Sequence, residues 1–433
     1  MLYKVTLITE RISFWTNIFI HLNDLVLTTI VYYGITIASL QVHLDWNMAQ
    51  SDVAEKNNRR WKIAVFFFVS GILSATWSSR IPSIQNQLNL SNAALGNVLF
   101  AIPAGLIVGM VIAGWLVASF GTKKILLLGT LVVALLLVLT SVISDAIVLM
   151  VILFLIGFTR TIFNLSANTA AVDVQQHFSK PILATFHGIW SVACFVAIGL
   201  STVMIIFEVP LLYHFILAAA IASLFAITAN SGKSDEVVTS TKRPFFIKPD
   251  RYLLLLGLIS FCAMLSEGAM FDWGVNYFEK EIKADKAFVT SGYLCFIITM
   301  AIGRLVGDRL ISRFGLYRML IVNGVLVCAG FNIAAFFPDV IPAALGFLLI
   351  GAGDASMVPI VYTLAAKNKK MPASYALSSV TLIGYTGFLV GPLFIGNVSE
   401  LQGMSVAFIC LSAAGLGIIL LSLMVKKLES SFE

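Results

Sequence analysis

The sequence predicts an all-α membrane protein with twelve transmembrane helices, arranged as two six-helix halves related by an internal repeat. Three observations predict this. The 433 residues are 59% hydrophobic and only 12% charged, with a mean hydropathy of +0.95, whereas a soluble domain is about 25% charged. Apolar runs of about 20 residues, the length that crosses a bilayer, recur along almost the whole chain. Two stretches also match at a fixed distance. Residues 153–160 read LFLIGFTR, residues 347–354 read FLLIGAGD, and the glycines are 351 − 157 = 194 apart.

The spans are expected at 62–83, 93–119, 123–143, 146–171, 181–206, 210–230, 251–278, 288–312, 317–337, 339–365, 373–397 and 403–425. The polar segment 231–250 (SGKSDEVVTSTKRPFFIKPD) is the only long hydrophilic connection, and it falls between spans six and seven. The chain therefore divides into an N-terminal extension (1–60), a first bundle (61–230), a central loop (231–250), a second bundle (251–427) and a short tail (428–433). Even-numbered loops carry Lys123 and Lys124; Lys180; Lys233, Lys242, Arg243 and Lys248; Arg313 and Arg318; and Lys367, Lys369 and Lys370. Odd-numbered loops are short or mixed in sign. The excess of cations places the even loops and both bundle ends in the cytoplasm.

The extension fits this scheme less simply. Residues 12–44 are apolar but interrupted by His21, Asn23 and Asp24, and Met48 opens the polar lead-in MAQSDVAEKNNRRWK. Two readings stand: Met48 is the true start, or residues 1–47 supply an extra membrane or interfacial helix.

Some function classes are disfavoured. The net charge of +6 and pI near 9.0 do not point to nucleic acid, because the basic residues lie in loops. Cys194, Cys262, Cys295, Cys328 and Cys410 stand singly in apolar segments, without metal-ligand spacing or a disulfide framework. No nucleophile triad or phosphate loop appears, so neither a cofactor nor an enzymatic activity is expected.

The loop motifs carry the repeat further. After span two the chain runs from Gly114 to Gly121, Lys123 and Lys124; after span eight it runs from Asp308 through Arg313 to Gly315 and Arg318, with 315 − 121 = 194. The glycine permits a tight reversal, and the cations suit the cytoplasmic face and the ends of neighbouring helices. Here the chain resembles the major facilitator superfamily over about residues 60–427. The family's loop motif is Gly-x-Leu-x-Asp-x-x-Gly-x-Arg/Lys-Arg/Lys. Gly114, Leu116, Gly121, Lys123 and Lys124 match it, while Ala118 stands where the family has an acid and Ser312 stands there in the second copy. Further segments are similar to a branch of bacterial inner-membrane permeases related broadly to fucose-type sugar permeases. They are Ser79-Arg80-Ile81-Pro82, Phe186-His187-Gly188, Glu267-Gly268-Ala269 with Asp272-Trp273, the run 303–309 (GRLVGDR), and Gly384-Tyr385 through Gly391-Pro392.

The resemblance implies that spans one, four, seven and ten line a central cavity. Arg160, Asn164 and Asn168 recur every four residues on span four and share a helix face. A guanidinium and two amides suit a polar or anionic solute, and they also suit helix–helix hydrogen bonding. An intramembrane charge costs about 2.5–3.5 kcal/mol on insertion scales, so Arg160 and Asp354 need a partner, water or a role. Glu267, deep in span seven, is cheap to bury as the acid and costly as the anion, which makes it a candidate proton carrier or a partner for Arg160 or Arg304. Asp272 and His187 are further proton-coupling candidates. Trp273 can stack on a ring or anchor at the interface, and Arg80 can meet solute at the outer mouth or snorkel. The expected activity is proton-coupled secondary transport of a small polar solute, such as a sugar or organic acid, by a monomer in the bilayer. Multidrug efflux is the alternative within transport. It is disfavoured because the Gly-Pro element of superfamily antiporters is missing from span five and occurs only in span eleven. A non-transporting receptor or assembly subunit with the same fold is the alternative of another class.

Overall fold

The computed structural model describes residues 51–176, 178, 182–231, 249–368 and 370–429. Residues from Arg60 onward form one compact unit. The expectations for residues 1–47, the Met48 start, Lys180, Lys233, Lys242, Arg243, Lys248, Lys369 and the last four residues lie outside the described residues.

Among the described residues every regular element is helical. Eleven helices are long and apolar enough to cross a membrane. They are Asn57–Ser79, Asn92–Phe120, Thr122–Thr140, Ala146–Gln175, Thr185–Ile206 and Leu211–Ala229 in the first half, then Arg251–Glu281, Leu316–Phe336, Val340–Ala366, Tyr375–Gln402 and Met404–Leu428. Span eight, Ser291–Phe314, is the twelfth. It carries Arg304, Asp308, Arg309 and Arg313 along its second half.

Local chemistry sets the element ends. Asp145 Oδ1 accepts hydrogen bonds from Ile147 and Val148 N–H, both 2.9 Å, at the start of span four. Asp250 does the same for Leu253 N–H at the start of span seven. These carboxylates satisfy amides that have no partner within their helix. Span one ends at Ser79, and Pro82 opens a short second helix, Ile81–Gln87, where the sequence suggested continuation to residue 83. Span ten is broken. Its first part ends at Asp354, a turn covers residues 355 and 356, and Met357–Ala366 completes it. Pro359 has no N–H for the Ala355 carbonyl four residues before it, which accounts for the interruption.

The repeat reappears as packing. A Cβ on Gly157 would stand 1.9 Å from the Ile102 carbonyl oxygen, and one on Gly351 would stand 2.3 Å from the Phe296 carbonyl oxygen. Since 102 + 194 = 296, the same contact is built twice. Span four lies backbone-to-backbone on span two, and span ten lies so on span eight. Small residues permit this approach where lipid offers no hydrophobic drive to bring helices together. The loop glycines repeat too: Gly121 and Gly315 have φ of 75° and 83° and each joins one helix to the next. In the second half, Tyr277 stacks on Phe408 with ring centroids 4.3 Å apart, and Phe347 and Phe278 pack around them.

The halves are fastened at the face bearing the odd-numbered loops. Asn276 Nδ2 donates to Gln85 Oε1 at 2.9 Å, Asn86 Nδ2 donates to Glu279 at 3.0 Å, and Thr202 meets Thr290 at 2.5 Å. Lys280 donates to Asn86, and Lys286 pairs with Glu208. Glu400 Oε2 accepts from Asn92 and Ala93 N–H, at 2.8 and 3.3 Å, and so caps span two from the opposite half. A Cβ on Gly96 would lie 2.4 Å from the Pro392 carbonyl oxygen. On the opposite face Asp308, Arg313, Gly315 and Arg318 are exposed. The Lys286 contact, through its hydrogen bond first and its charge second, holds Glu208 below the usual carboxylate range. This contribution is present above the ordinary glutamate pKa and is lost as pH falls through the lowered one.

The duplicated contact predicts asymmetric glycine tolerance. Gly157→Val and Gly351→Val should each destabilise the purified protein by about 1–3 kcal/mol or more through overpacking. Gly114→Ala, where a Cβ meets nothing within 4 Å, should stabilise by up to about 1 kcal/mol. Thermal denaturation in detergent measures all three, and equal effects would refute the assignment.

Candidate functional site

The ionisable side chains between the halves fall into two groups. The first is built on spans seven, eight and ten. Ser266 and Glu267 are consecutive, so their side chains diverge around span seven. Ser266 Oγ donates to Asp354 Oδ2 at 2.9 Å, while Glu267 Oε1 accepts from Arg304 Nη2 at 3.2 Å. Asp354 is 5% exposed, and its Oδ1 is buried without a hydrogen-bond partner among the described residues. It sits at the break in span ten, within electrostatic range of Glu267 and Arg304. On the other side of the break, Asn323 Nδ2 donates to Ser356 Oγ at 2.9 Å. The result is a half-solvated ion pair beside a desolvated carboxyl that has one oxygen to spare.

The second group centres on Arg160. Its guanidinium makes no hydrogen bond or ion pair among the described residues. It lies in electrostatic range of Asp272, Tyr293 and Cys194. Asp272 is half-buried on the facing half and is likewise without such a bond among the described residues. Tyr293 is fully buried and approaches Ser78 without completing a hydrogen bond. Phe271 bridges the halves, packing against Trp190 at 6.3 Å and edge-on to Tyr293 at 5.7 Å. Arg160 and Asp354, matched by the repeat, therefore belong to different groups in this conformation.

Asn164 and Asn168 are exposed on the face of span four that continues from Arg160, and Asn168 Nδ2 donates to the Asn164 carbonyl at 2.8 Å. His187 is exposed, lies edge-on to Phe67 at 5.4 Å, and is within range of Arg304. Trp273 is fully buried, with Nε1 unpartnered among the described residues. Arg80 is buried and its Nη2 donates to the Val209 carbonyl at 2.9 Å, tying the end of span one to the loop before span six. Gly121, Lys123 and Lys124 form the first basic reversal, with Gly114 about two turns back inside span two; Arg313, Gly315 and Arg318 form the second, with Asp308 about two turns back inside span eight, and Arg313 lies over the Phe314 ring. Sequence reasoning did not single out Ser266 or Tyr293. Only the position of Ser266 beside Glu267 gave a signal, and it needed the location of span ten to be read.

Comparison with known proteins places this arrangement in a family. The model of the Major Facilitator Superfamily matches residues 63–376, and the chain belongs to that superfamily. A Yersinia pestis MFS-type transporter is 29% identical over 346 residues, covering 80% of this chain and 90% of the relative. The crystal structure of the nucleoside transporter NupG superposes with a TM-score of 0.72 at 12% identity, covering 85% of this chain and 99% of that one. The Escherichia coli fucose:proton symporter FucP superposes with a TM-score of 0.59 at 18% identity, covering 87% and 99%. The chain is thus a multi-pass membrane transporter of the superfamily, which is a family of transporters rather than enzymes.

The Glu267–Arg304 assignment predicts non-additivity. Arg304→Met and Glu267→Gln should each lower the denaturation temperature. The double variant should recover part of the summed loss, with a coupling of about 1 kcal/mol, since both side chains are partly solvated. A strictly additive double-mutant cycle would remove the pair.

Proposed function

We propose that the protein is a proton-coupled secondary transporter that moves a small polar solute, sugar-like or organic-acid-like, across the bacterial inner membrane by alternating access. The observation that carries this reading is the collection of Arg160, Asp272, Glu267, Arg304 and Asp354 within two six-helix halves that hydrogen bonds and an ion pair join at the face bearing the odd-numbered loops. Intramembrane charges kept at such a position serve a solute or ion path. The similarity to a fucose:proton symporter and a nucleoside transporter supports small polar solutes as the cargo class. The basic loops put the face opposite these contacts, and both bundle ends, in the cytoplasm.

In this mechanism the proton acts on the first charge group. A proton on Glu267 removes the counter-ion of Arg304, and a proton on Asp354 removes the repulsion between the two acids. Either event changes the charge that the cavity presents to a solute. Asp272 and His187 face Arg160 and Arg304 respectively and tune the same balance. The halves then rock about the cavity, breaking the Glu400 and Lys286 contacts to open the outer face.

Two experiments test this. Glu267→Gln in proteoliposomes should abolish uptake driven by a pH gradient while preserving solute exchange; undiminished pH-driven uptake removes Glu267 from the coupling. Cysteines introduced at Asn86 and Arg313 should exchange their accessibility to an impermeant maleimide when a solute found by thermal-shift screening is added. Identical labelling with and without solute would instead fit a receptor that binds without transporting.

A further inference from the structure

The first turn of span two is completed by the other half of the molecule. The helix starts at Asn92, with Ser91 as its N-cap, and the opening amides of a helix have no acceptor within it. Here their acceptors are divided between the halves. Ser91 Oγ accepts from Ala94 N–H at 3.3 Å. Glu400 Oε2, near the end of span eleven, accepts from Asn92 N–H at 2.8 Å and from Ala93 N–H at 3.3 Å. The shortest of these bonds, and the charged one, therefore reaches the turn from the opposite half. The Asn92 side chain is held through both halves as well: Gln85 Nε2 donates to Asn92 Oδ1 at 2.9 Å, and Gln85 Oε1 accepts from Asn276 Nδ2 of span seven at 2.9 Å. Span twelve gives the contrast. At its start Glu281 accepts from Met404 and Ser405 N–H, at 3.2 and 3.4 Å, and both the carboxylate and the helix belong to the second half.

A carboxylate suits such a position twice, as an acceptor and as a negative charge at the positive end of the helix dipole. A cap made within one half survives any movement of the halves, whereas a cap made across them does not. Span two has no acidic residue in its own first turn to take over, and Ser91 is already bonded to Ala94. We infer that the first turn of span two is a conditional turn. It is capped by Glu400 while the outer face is closed, and it frays over residues 92–95 when span eleven withdraws and the Asn92 and Ala93 amides pass to water. Glu400 is then a positioning residue that ties local helix formation to the state of the outer face. The inference rests on the alternating-access reading and goes beyond it, because a segment of the first half changes its secondary structure instead of moving as part of a rigid bundle. Water competes for both partners at the exposed Glu400, which keeps the link breakable in every cycle. By reciprocity, loss of the cap must itself favour opening.

The test uses the full chain in nanodiscs and reads two quantities. One is amide hydrogen exchange over residues 91–95, by mass spectrometry. The other is the distance between nitroxides on cysteines introduced at Asn97 of span two and Leu401 of span eleven, both exposed. Glu400→Gln keeps the size of the side chain and removes its charge. It should raise exchange at Asn92 and Ala93 by about fivefold or more and enlarge the population of the longer distance severalfold. Lys286→Glu, which turns the attraction to Glu208 into repulsion and leaves the cap untouched, should do the same, and it serves if Glu400→Gln fails to fold. Glu281→Gln should raise exchange at Met404 and Ser405 and leave the distance as it is. Ser91→Ala should raise exchange at Ala94 and likewise leave the distance alone. A distance that lengthens in Lys286→Glu while Asn92 and Ala93 stay protected overturns the inference. So does faster exchange in Glu400→Gln at an unchanged distance, which identifies an ordinary cap. The maleimide experiment separates the two readings. Solute-dependent labelling with residues 92–95 protected throughout defeats this inference alone. Exchange and distance that change together, in a protein without flux or solute-dependent labelling, defeat transport and leave the conditional turn standing.

Discussion

The contact on which the rest of the structure depends is the backbone approach at Gly157 and again at Gly351. In each half one span lies against its neighbour with no side chain between them, Gly157 on Ile102 and Gly351 on Phe296. In lipid, helices gain little from burying apolar surface against one another, so close van der Waals packing must fix their positions. Three residues beyond each glycine comes a charge, Arg160 and Asp354. The glycine contact therefore sets the depth and direction of each charged side chain. Any shift of span four on span two would displace Arg160.

From these equivalent frames the two halves make unlike chemistry. Asp354 sits at a broken helix beside Ser266, with Glu267 and Arg304 next to it, whereas Arg160 keeps an intact helix and faces Asp272 across the halves. The break follows from Pro359, which has no counterpart in span four, where Leu165 stands 194 residues earlier. Duplication supplied the scaffold, and single substitutions on it separated a carboxyl centre from a guanidinium centre.

Much of this was legible in the sequence, for identifiable reasons. The spans, the repeat and both glycine reversals are local patterns of hydropathy and spacing, so they could be read without coordinates. The partner of Glu267 was narrowed to Arg160 or Arg304, but choosing between them needed the rotation of span eight against span seven, which no local pattern encodes. Arg160 and Asp354 are matched by the repeat and so stand at equal depth. Depth does not fix azimuth, and Ser266 occupies the position nearest Asp354.

The charged second half of span eight also has a consequence for biogenesis. A helix bearing Arg304, Asp308, Arg309 and Arg313 partitions poorly into lipid alone, since each such residue near a helix centre costs about 2.5–3.5 kcal/mol on insertion scales. Span seven is synthesised first and carries Glu267, the carboxylate that meets Arg304. If the translocon releases spans seven and eight as a hairpin, the ion pair forms within the same event and span eight enters the bilayer with one of its charges neutralised. The order of the chain thereby provides the chaperoning acid before the helix that needs it.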